Sequence, residues 1–282
     1  MFDTKHPEVL RALRNALEED IGSGDVTTRA TIPESTRARG RFFVREPLTL
    51  AGVELLGPIY EMRGGVEELT ILHVSGESLA PGVCIATVTG KASTLLECER
   101  TALNFIQRLS GVATLARQYS DAVKHTGCRI LDTRKTTPGL RHLEKMAVAA
   151  GGATNHRLGL YDAILIKNNH ISAAGSITEA LRRAHSTALP VEIEVRTMAE
   201  LDEALAAGAT RLLLDNLTPP EAAEWIRHIK GRASVELSGG ITMESVAAYA
   251  ETGADFVSCG AITHSARAMD LNFRVELLDA QC

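Results

Sequence analysis

From Cys128 onward the chain repeats one pattern, a short apolar run followed by a helical stretch. Six runs, CRILDT, DAILIK, VEIEV, RLLLD, SVELSG and FVSCG, are separated by segments such as ITEALRRAHS, MAELDEALAAG, PPEAAEWIRHIKG and MESVAAYAETG. That alternation constrains the fold more than any other feature. Strands that must run parallel need a long crossover, and a helix supplies it, so the runs form a parallel sheet with helices outside. An open doubly wound sheet would obey the same grammar. A barrel is favoured because charged residues or glycines stand at the end of nearly every run, rather than at a single switch point. Six runs where a closed barrel needs eight indicate an incomplete, open parallel α/β barrel.

The grammar upstream is different. His6 to Glu19 places Val9, Leu10, Leu13 and Leu17 at helical spacing, and the turn-rich IGSGDVTT follows. Between Ala38 and Val88, RFFVREPLTLAG, LTILHVSGESLAPG and VCIATVTG alternate apolar runs with Gly and Pro, which suits short, mostly antiparallel strands. KASTLLECERTALNFIQRLSG reads as a helix stopped by Gly111, with a second helix from Ala113 to Lys124. The tail LNFRVELL reads as one more strand returning to this first region. The expected division is residues 1–112, joined by 268–282, and residues 113–267 for the barrel.

Composition narrows the class of protein. At 282 residues the chain has room for two such regions, and 45% hydrophobic content with only 4% aromatic residues suits helices packed on parallel strands. The first residues lack a basic-then-apolar leader pattern, and no apolar run approaches the roughly 20 residues of a membrane span, so a cytoplasmic protein is expected. Five cysteines without C-x-x-C spacing suggest reduced thiols. A net charge of −5 argues against a nucleic-acid partner.

Against that acidic background, residues 131–170 hold six Lys/Arg and only three acids. Arg141 and Lys145 read as solvated helix positions, and Thr137 as the cap of a helix that Pro138 starts. Arg134, Lys135 and Lys167 differ, because they stand at run ends, at the mouth of the barrel. At ~4 Å and an effective dielectric of ~20, like charges repel by roughly 4 kcal/mol, so a bound anion is the economical explanation. His156 and Arg157 form a loop pair just upstream of Lys167. Glu192 and Glu194 share one face of VEIEV, and RLLLD ends at Asp215. Glu194 and Asp215, at consecutive run ends, can hold a divalent cation or accept hydroxyl protons; oxygen-only ligands favour magnesium or manganese over zinc. Ser238, Gly239 and Gly240, then Gly260, close the last two runs, where barrel enzymes often hold a phosphate on backbone N–H groups; Thr263, His264 and Ser265 add donors. Ordinary turn chemistry would also explain the glycines.

Together the motifs resemble the quinolinate phosphoribosyltransferase family (nicotinate-nucleotide pyrophosphorylase, carboxylating). The similarity runs through EEDIGSGDVTT, LLECERTALNFIQRLSGVAT, LDTRKTTPGLR, GGATNHRLGLYDAILIKNNHI, VEIEV, LLLDN, LSGGI and SCGAITHS, in order and over nearly the whole chain. The resemblance implies an N-terminal α/β sandwich completed by the C-terminal tail, an open α/β barrel, and a homodimer of NAD biosynthesis. It further implies that quinolinate and phosphoribosyl pyrophosphate become nicotinate mononucleotide, pyrophosphate and CO2. Residue by residue, it implies that Arg100 reaches into the partner subunit's site and that Thr133, Arg134, His156 and Arg157 surround quinolinate. Lys135 and Lys167 would lie toward the diphosphate, and Glu194 and Asp215 would serve the ribose hydroxyls and Mg2+, directly or through water. Ser238, Gly239, Gly240, Gly260 and His264 would hold the 5′-phosphate. A relative acting on another ring acid, for instance one linked to molybdenum metabolism, and a non-catalytic phosphate-binding barrel are the rival readings. The full cationic set favours quinolinate over the first, and the joint presence of Lys135, Glu194 and Asp215 disfavours the second.

Overall fold

A computed structural model describes residues 3–278. Five strands come first: β1 (Arg37–Val44), β2 (Leu48–Thr49), β3 (Glu68–Ile71), β4 (Ser78–Leu79) and β5 (Cys84–Lys91). Six follow in the repeating region: β6 (Arg129–Leu131), β7 (Ile164–Ile166), β8 (Val191–Val195), β9 (Arg211–Asp215), β10 (Ser234–Ser238) and β11 (Phe256–Ser258). The last is β12 (Leu271–Leu277). The chain divides into two compact units, one of residues 1–117, 136–152 and 265–282, the other of 118–135 and 153–264.

In the first unit an antiparallel sheet runs β12-β1-β5-β3, and β2 pairs with β4. The tail therefore does return as a strand, with Phe42 opposite Phe273 and Val44 opposite Leu271; residues 279–282 of the expected tail lie outside the described residues. The first helix spans Pro7–Ile21 and buries Val9, Leu13 and Leu17, as its spacing requires. Part of IGSGDVTT proves helical, because the Asp25 carboxylate accepts from the Thr28 amide and caps Val26–Thr31.

Two helix expectations are corrected. Gly111 does not stop a helix: one helix runs from Ala92 to Val123. A Cβ at 111 would collide with the Arg267 carbonyl, so this glycine permits close backbone approach. Nor does Thr137 cap the next helix, which spans Arg141–Ala150 with Leu140 at its N-cap. Glu144, fully buried, reaches back instead, accepting from the Thr137 amide at 3.0 Å, its hydroxyl at 2.7 Å and Arg108 Nη2 at 2.8 Å. Lys145, expected in solvent, is 2% exposed.

The second unit carries one six-stranded parallel sheet in the order β6-β11-β10-β9-β8-β7. Apart from β6, neighbours in sequence are neighbours in space, as right-handed β-α-β crossovers produce. Ser176 and Thr197 accept from Glu179 and Glu200 amides to cap two crossover helices, and Glu221 accepts from the Thr218 amide before a third, whose first residue is Pro219. Between the edge strands β6 and β7 the described residues form a single bridge, Leu131 to Thr154. The helix that should follow β6, Arg141–Ala150, groups with the other unit, so the barrel is left open there.

Strand alternation divides the sheet residues by chemistry. Ile193, Val195, Leu212, Leu214, Val235, Leu237 and Val257 are buried on one face. The other face carries Glu192, Glu194, Arg211, Asp215, Glu236, Ser238 and Ser258 interspersed with Leu131, Leu165, Leu213 and Phe256, where barrels normally use aliphatic side chains throughout.

Candidate active site

At the carboxyl ends of the strands the sheet order sets neighbours side by side. Lys167, after β7, donates to Glu194 Oε2 of β8 at 3.2 Å. Glu194 pairs in register with Leu213, so Asp215, two residues on, projects from the same face of the adjacent strand. Asp215 pairs in register with Ser238 of β10. Around the rest of the rim, Gly260 lies against Lys135 and His264; a Cβ there would stand 3.2 Å from Lys135 Cδ and 3.3 Å from the His264 ring. The Thr263 hydroxyl donates to the Lys135 carbonyl at 2.7 Å, and the Lys135 amide donates to Thr133 Oγ1 at 3.0 Å.

The glycines have distinct reasons. Gly239 has φ +107°, and a Cβ on it would run into Asn216, whose amide donates to the Ser238 carbonyl at 2.9 Å. Asn216 is itself left-handed, at φ 59°, and its side-chain amide donates to Asp215 at 2.6 Å. Gly240, at φ +59°, has open space around the missing Cβ. The LLLDN and LSGG segments thus interlock, with Asn216 packed against Gly239 and open space left at Gly240.

The cationic sector is equally specific. Burial and the charge of Arg134 both pull the Arg157 pKa below its ordinary value, so these two guanidiniums feel one another. Arg157 Nη1 donates to the Ala163 carbonyl at 3.2 Å. Arg100 lies on the long helix of the first unit, where it is exposed.

Beneath the rim lies a buried charged network. His156 Nε2 is 3.1 Å from Glu192 and 3.4 Å from Glu236. Arg211 reaches the same two carboxylates at 2.9 and 3.0 Å, and the Ser258 hydroxyl donates to Glu236. Arg129 and Arg211 each stand over the Phe256 ring, at 4.8 and 4.7 Å. Burial pulls the His156 pKa down, but the two carboxylates outweigh it and lift it to about 9. Burial raises the Glu192 pKa; for Glu236 the donors His156, Ser258 and Arg211 overcome burial and lower it. The network borders a cavity of about 190 Å³, lined among others by Arg129, Arg157, Glu192, Arg211 and Phe256.

Of the residues singled out in the sequence, Lys135, Lys167, Glu194, Asp215, Ser238 to Gly240, Gly260 and His264 converge on the strand ends. His156 instead turns its Nε2 to Glu192 and Glu236. Sequence reasoning did not single out Glu236, Arg211, Asp132 or Asn216. Strand parity carried part of the signal, since Glu236 is in phase with Ser238, and Arg211 with Asp215.

Glu194 and Asp215 fit a hard divalent cation in donor type: carboxylate oxygens on adjacent strands are what magnesium commonly uses beside phosphorylated substrates. Fold and rim define a barrel that gathers cations, carboxylates and a glycine turn at one end.

Similarity to known proteins agrees. Residues 25–110 match the N-terminal domain, and residues 112–274 the C-terminal domain, of quinolinate phosphoribosyl transferase. The chain belongs to the quinolinate phosphoribosyltransferase family. It is 42% identical over 267 residues to the nicotinate-nucleotide pyrophosphorylase [carboxylating] of Mycobacterium leprae, covering 92% of this chain and 94% of that one. A probable enzyme of the same name from Bacillus subtilis is 38% identical over 96% of this chain and 95% of its own. The crystal structure of NadC from Streptococcus pyogenes superposes with a TM-score of 0.93 at 36% identity, covering 99% of this chain and 100% of that chain. Among the described residues no helix is long and apolar enough to cross a membrane; some similar proteins are chloroplastic or mitochondrial by name.

Proposed function

We infer that this chain carries the activity of its family, converting quinolinate and phosphoribosyl pyrophosphate to nicotinate mononucleotide, pyrophosphate and CO2 in NAD biosynthesis. The observation that carries the reading is the rim itself: Lys167–Glu194, Asp215, the Ser238–Gly240 turn and the Gly260–Lys135–His264 contact lie on adjacent strands of one sheet.

Quinolinate is a dianion. Arg134 and Arg157, with Thr133 and His156, form its pocket, and each charge-assisted bond to a carboxylate contributes about 1.5–3 kcal/mol. Nicotinate lacks one carboxylate and would leave part of this half-buried cationic pocket without its counter-charge, so it is rejected strongly. Ser238, Gly239, Gly240, Gly260 and His264 hold the 5′-phosphate on backbone and side-chain donors. Lys135 and Lys167 face the diphosphate. Glu194 and Asp215 accept from the ribose hydroxyls and would hold Mg2+, directly or through water; when bound, that ion neutralises diphosphate charge.

In the first stage the pyridine nitrogen bonds to the anomeric carbon as the carbon–oxygen bond to pyrophosphate breaks. Lys135 and Lys167 stabilise charge gathering on the departing oxygens, and the nearby carboxylates stabilise the oxocarbenium-like carbon. In the second, the ring carboxylate beside the quaternised nitrogen leaves as CO2. Its bonding electrons stay on the ring carbon, which the ring cation stabilises, and that carbon takes one proton. No covalent enzyme intermediate is needed, and the buried Cys128 and Cys259 thiols, pushed up to about 12, are poor nucleophiles in any case.

Family resemblance also supports a homodimer in which Arg100 completes the partner subunit's site, and a domain division near residue 112, where the two family matches meet; the scattered cysteines without C-x-x-C spacing support a cytoplasmic location. Purified protein with both substrates and Mg2+ should release CO2 and nicotinate mononucleotide in equal amounts, and no product would refute the activity. Mixing Arg100→Ala with Lys135→Ala protein should restore activity; mixed dimers without recovery would refute site sharing.

A further inference from the structure

The buried network leaves one question open: why two glutamates, an arginine and a histidine occupy the interior of a barrel that aliphatic side chains could fill. The hydrogen bonds answer it. All four carboxylate oxygens are engaged: Glu192 with Arg211 at 2.9 Å and His156 at 3.1 Å, Glu236 with Ser258 through Oε1 and with Arg211 and His156 through Oε2. The other nitrogen of the ring, His156 Nδ1, lies 2.7 Å from the backbone nitrogen of Arg157, whose N–H points at it. The His156 amide in turn donates to the buried Asp132 carboxylate at 2.8 Å.

An N–H donated to Nδ1 requires a lone pair there. An imidazolium would set two hydrogens against each other across 2.7 Å. The two carboxylates favour the imidazolium, since their pull lifts the His156 pKa, whereas the Arg157 amide excludes it. The directional contact decides, because it is a steric as well as an electrostatic constraint. That contact is the one a neutral ring makes, with its single proton on Nε2 facing the glutamates.

We propose that Glu192 and Glu236 are positioning residues, which hold His156 as its Nε2–H tautomer so that the Nδ1 lone pair grips the Arg157 amide and fixes the loop that presents Arg157 to the ring dianion. The proposal rests on the substrate reading given above and extends it: His156 serves quinolinate through Arg157 rather than by its own charge. Fixing one ring nitrogen by what the other touches is a general way of setting a tautomer. Among the groups facing the ring are Glu192, Glu236 and, through them, Arg211, with the Arg157 amide at Nδ1; Asp132 meets the His156 backbone amide.

Two experiments on the full chain test this. In protein labelled with 15N-histidine, the His156 resonances, assigned by their loss in His156→Asn, should show a bare Nδ1 and a protonated Nε2 from about pH 6 to about pH 8. Two protonated nitrogens at neutral pH would overturn the proposal. In kinetics, Glu192→Gln should raise the quinolinate KM about tenfold or more, since small misplacement of a binding group is costly, and leave the phosphoribosyl pyrophosphate KM essentially unchanged. Equal rises in both would overturn it. Asn can place an oxygen where Nδ1 accepts, and Gln can place a donor where Nε2 gives, so His156→Asn should retain more quinolinate affinity than His156→Gln. Equal losses would point to direct ring contact instead. If wild-type protein turns over nothing, the substrate reading fails while the resonances still decide the tautomer. If Glu192→Gln does not fold, the wild-type spectrum decides alone.

Discussion

Glu192 and Glu194 sit two residues apart on one face of β8, yet they belong to different regimes. Glu194 meets Lys167 at 3.2 Å in an ion pair whose lysine is 51% exposed. Glu192 meets His156 and Arg211 with 5% exposure and every oxygen occupied. The same contrast recurs on β10 between half-buried Ser238 and fully buried Glu236. In the lower layer desolvation is severe, so charges persist only where the network is closed. In the upper layer water screens the pair, so Lys167 and Glu194 can exchange one another for substrate at little cost. Chemistry is done where pairing is loose, and geometry is kept where it is closed.

The largest expected effect separates the layers by activity. Lys167→Ala or Asp215→Asn should lower kcat by about 10²–10⁴-fold, the usual range for a lost acid-base or charge-stabilising group, while melting temperature scarcely moves. A large drop in melting temperature would show that the upper layer is structural too. The converse variant is Glu236→Ala. Removing one partner from a buried ionic network should cost about 3–5 kcal/mol, measured by urea unfolding. A loss below about 1 kcal/mol would erase the distinction.

Smaller effects sharpen it. Gly239→Ala places a Cβ against Asn216 at φ +107° and should destabilise by about 1–3 kcal/mol while weakening phosphoribosyl pyrophosphate binding. Gly260→Ala meets only the flexible Lys135 stem and the His264 ring, at 3.2 and 3.3 Å, so it should raise that KM several-fold with stability changed by less than about 0.5 kcal/mol. Smallest is the response to salt. Raising ionic strength toward ~1 M shortens the screening length to ~3 Å and should weaken substrate binding at the rim without changing the His156 tautomer.

Much of this was legible in the chain. Six β-then-α repeats specify the parallel sheet, because local periodicity dictates which faces must be covered. The alternation in VEIEV puts both glutamates on one face, and run-end position marked Lys135, Lys167, Glu194, Asp215 and the glycines. What failed to show were relations between distant residues. Gly111 reads as a helix stop until the Arg267 carbonyl is found against it. Lys145 reads as solvated until its helix is seen to bury it. Thr137 reads as a cap, although Glu144 does the anchoring.

His156 shows the boundary most clearly. The sequence by itself determined that a histidine and an arginine would stand together beside the barrel mouth, because adjacency is covalent. Only tertiary structure decided that the ring turns away from the rim. Its partners Glu192, Glu236 and Arg211 arrive from three other strands, and an ion network's worth depends on burial and on which oxygens remain free. Those quantities exist only once the strands are side by side.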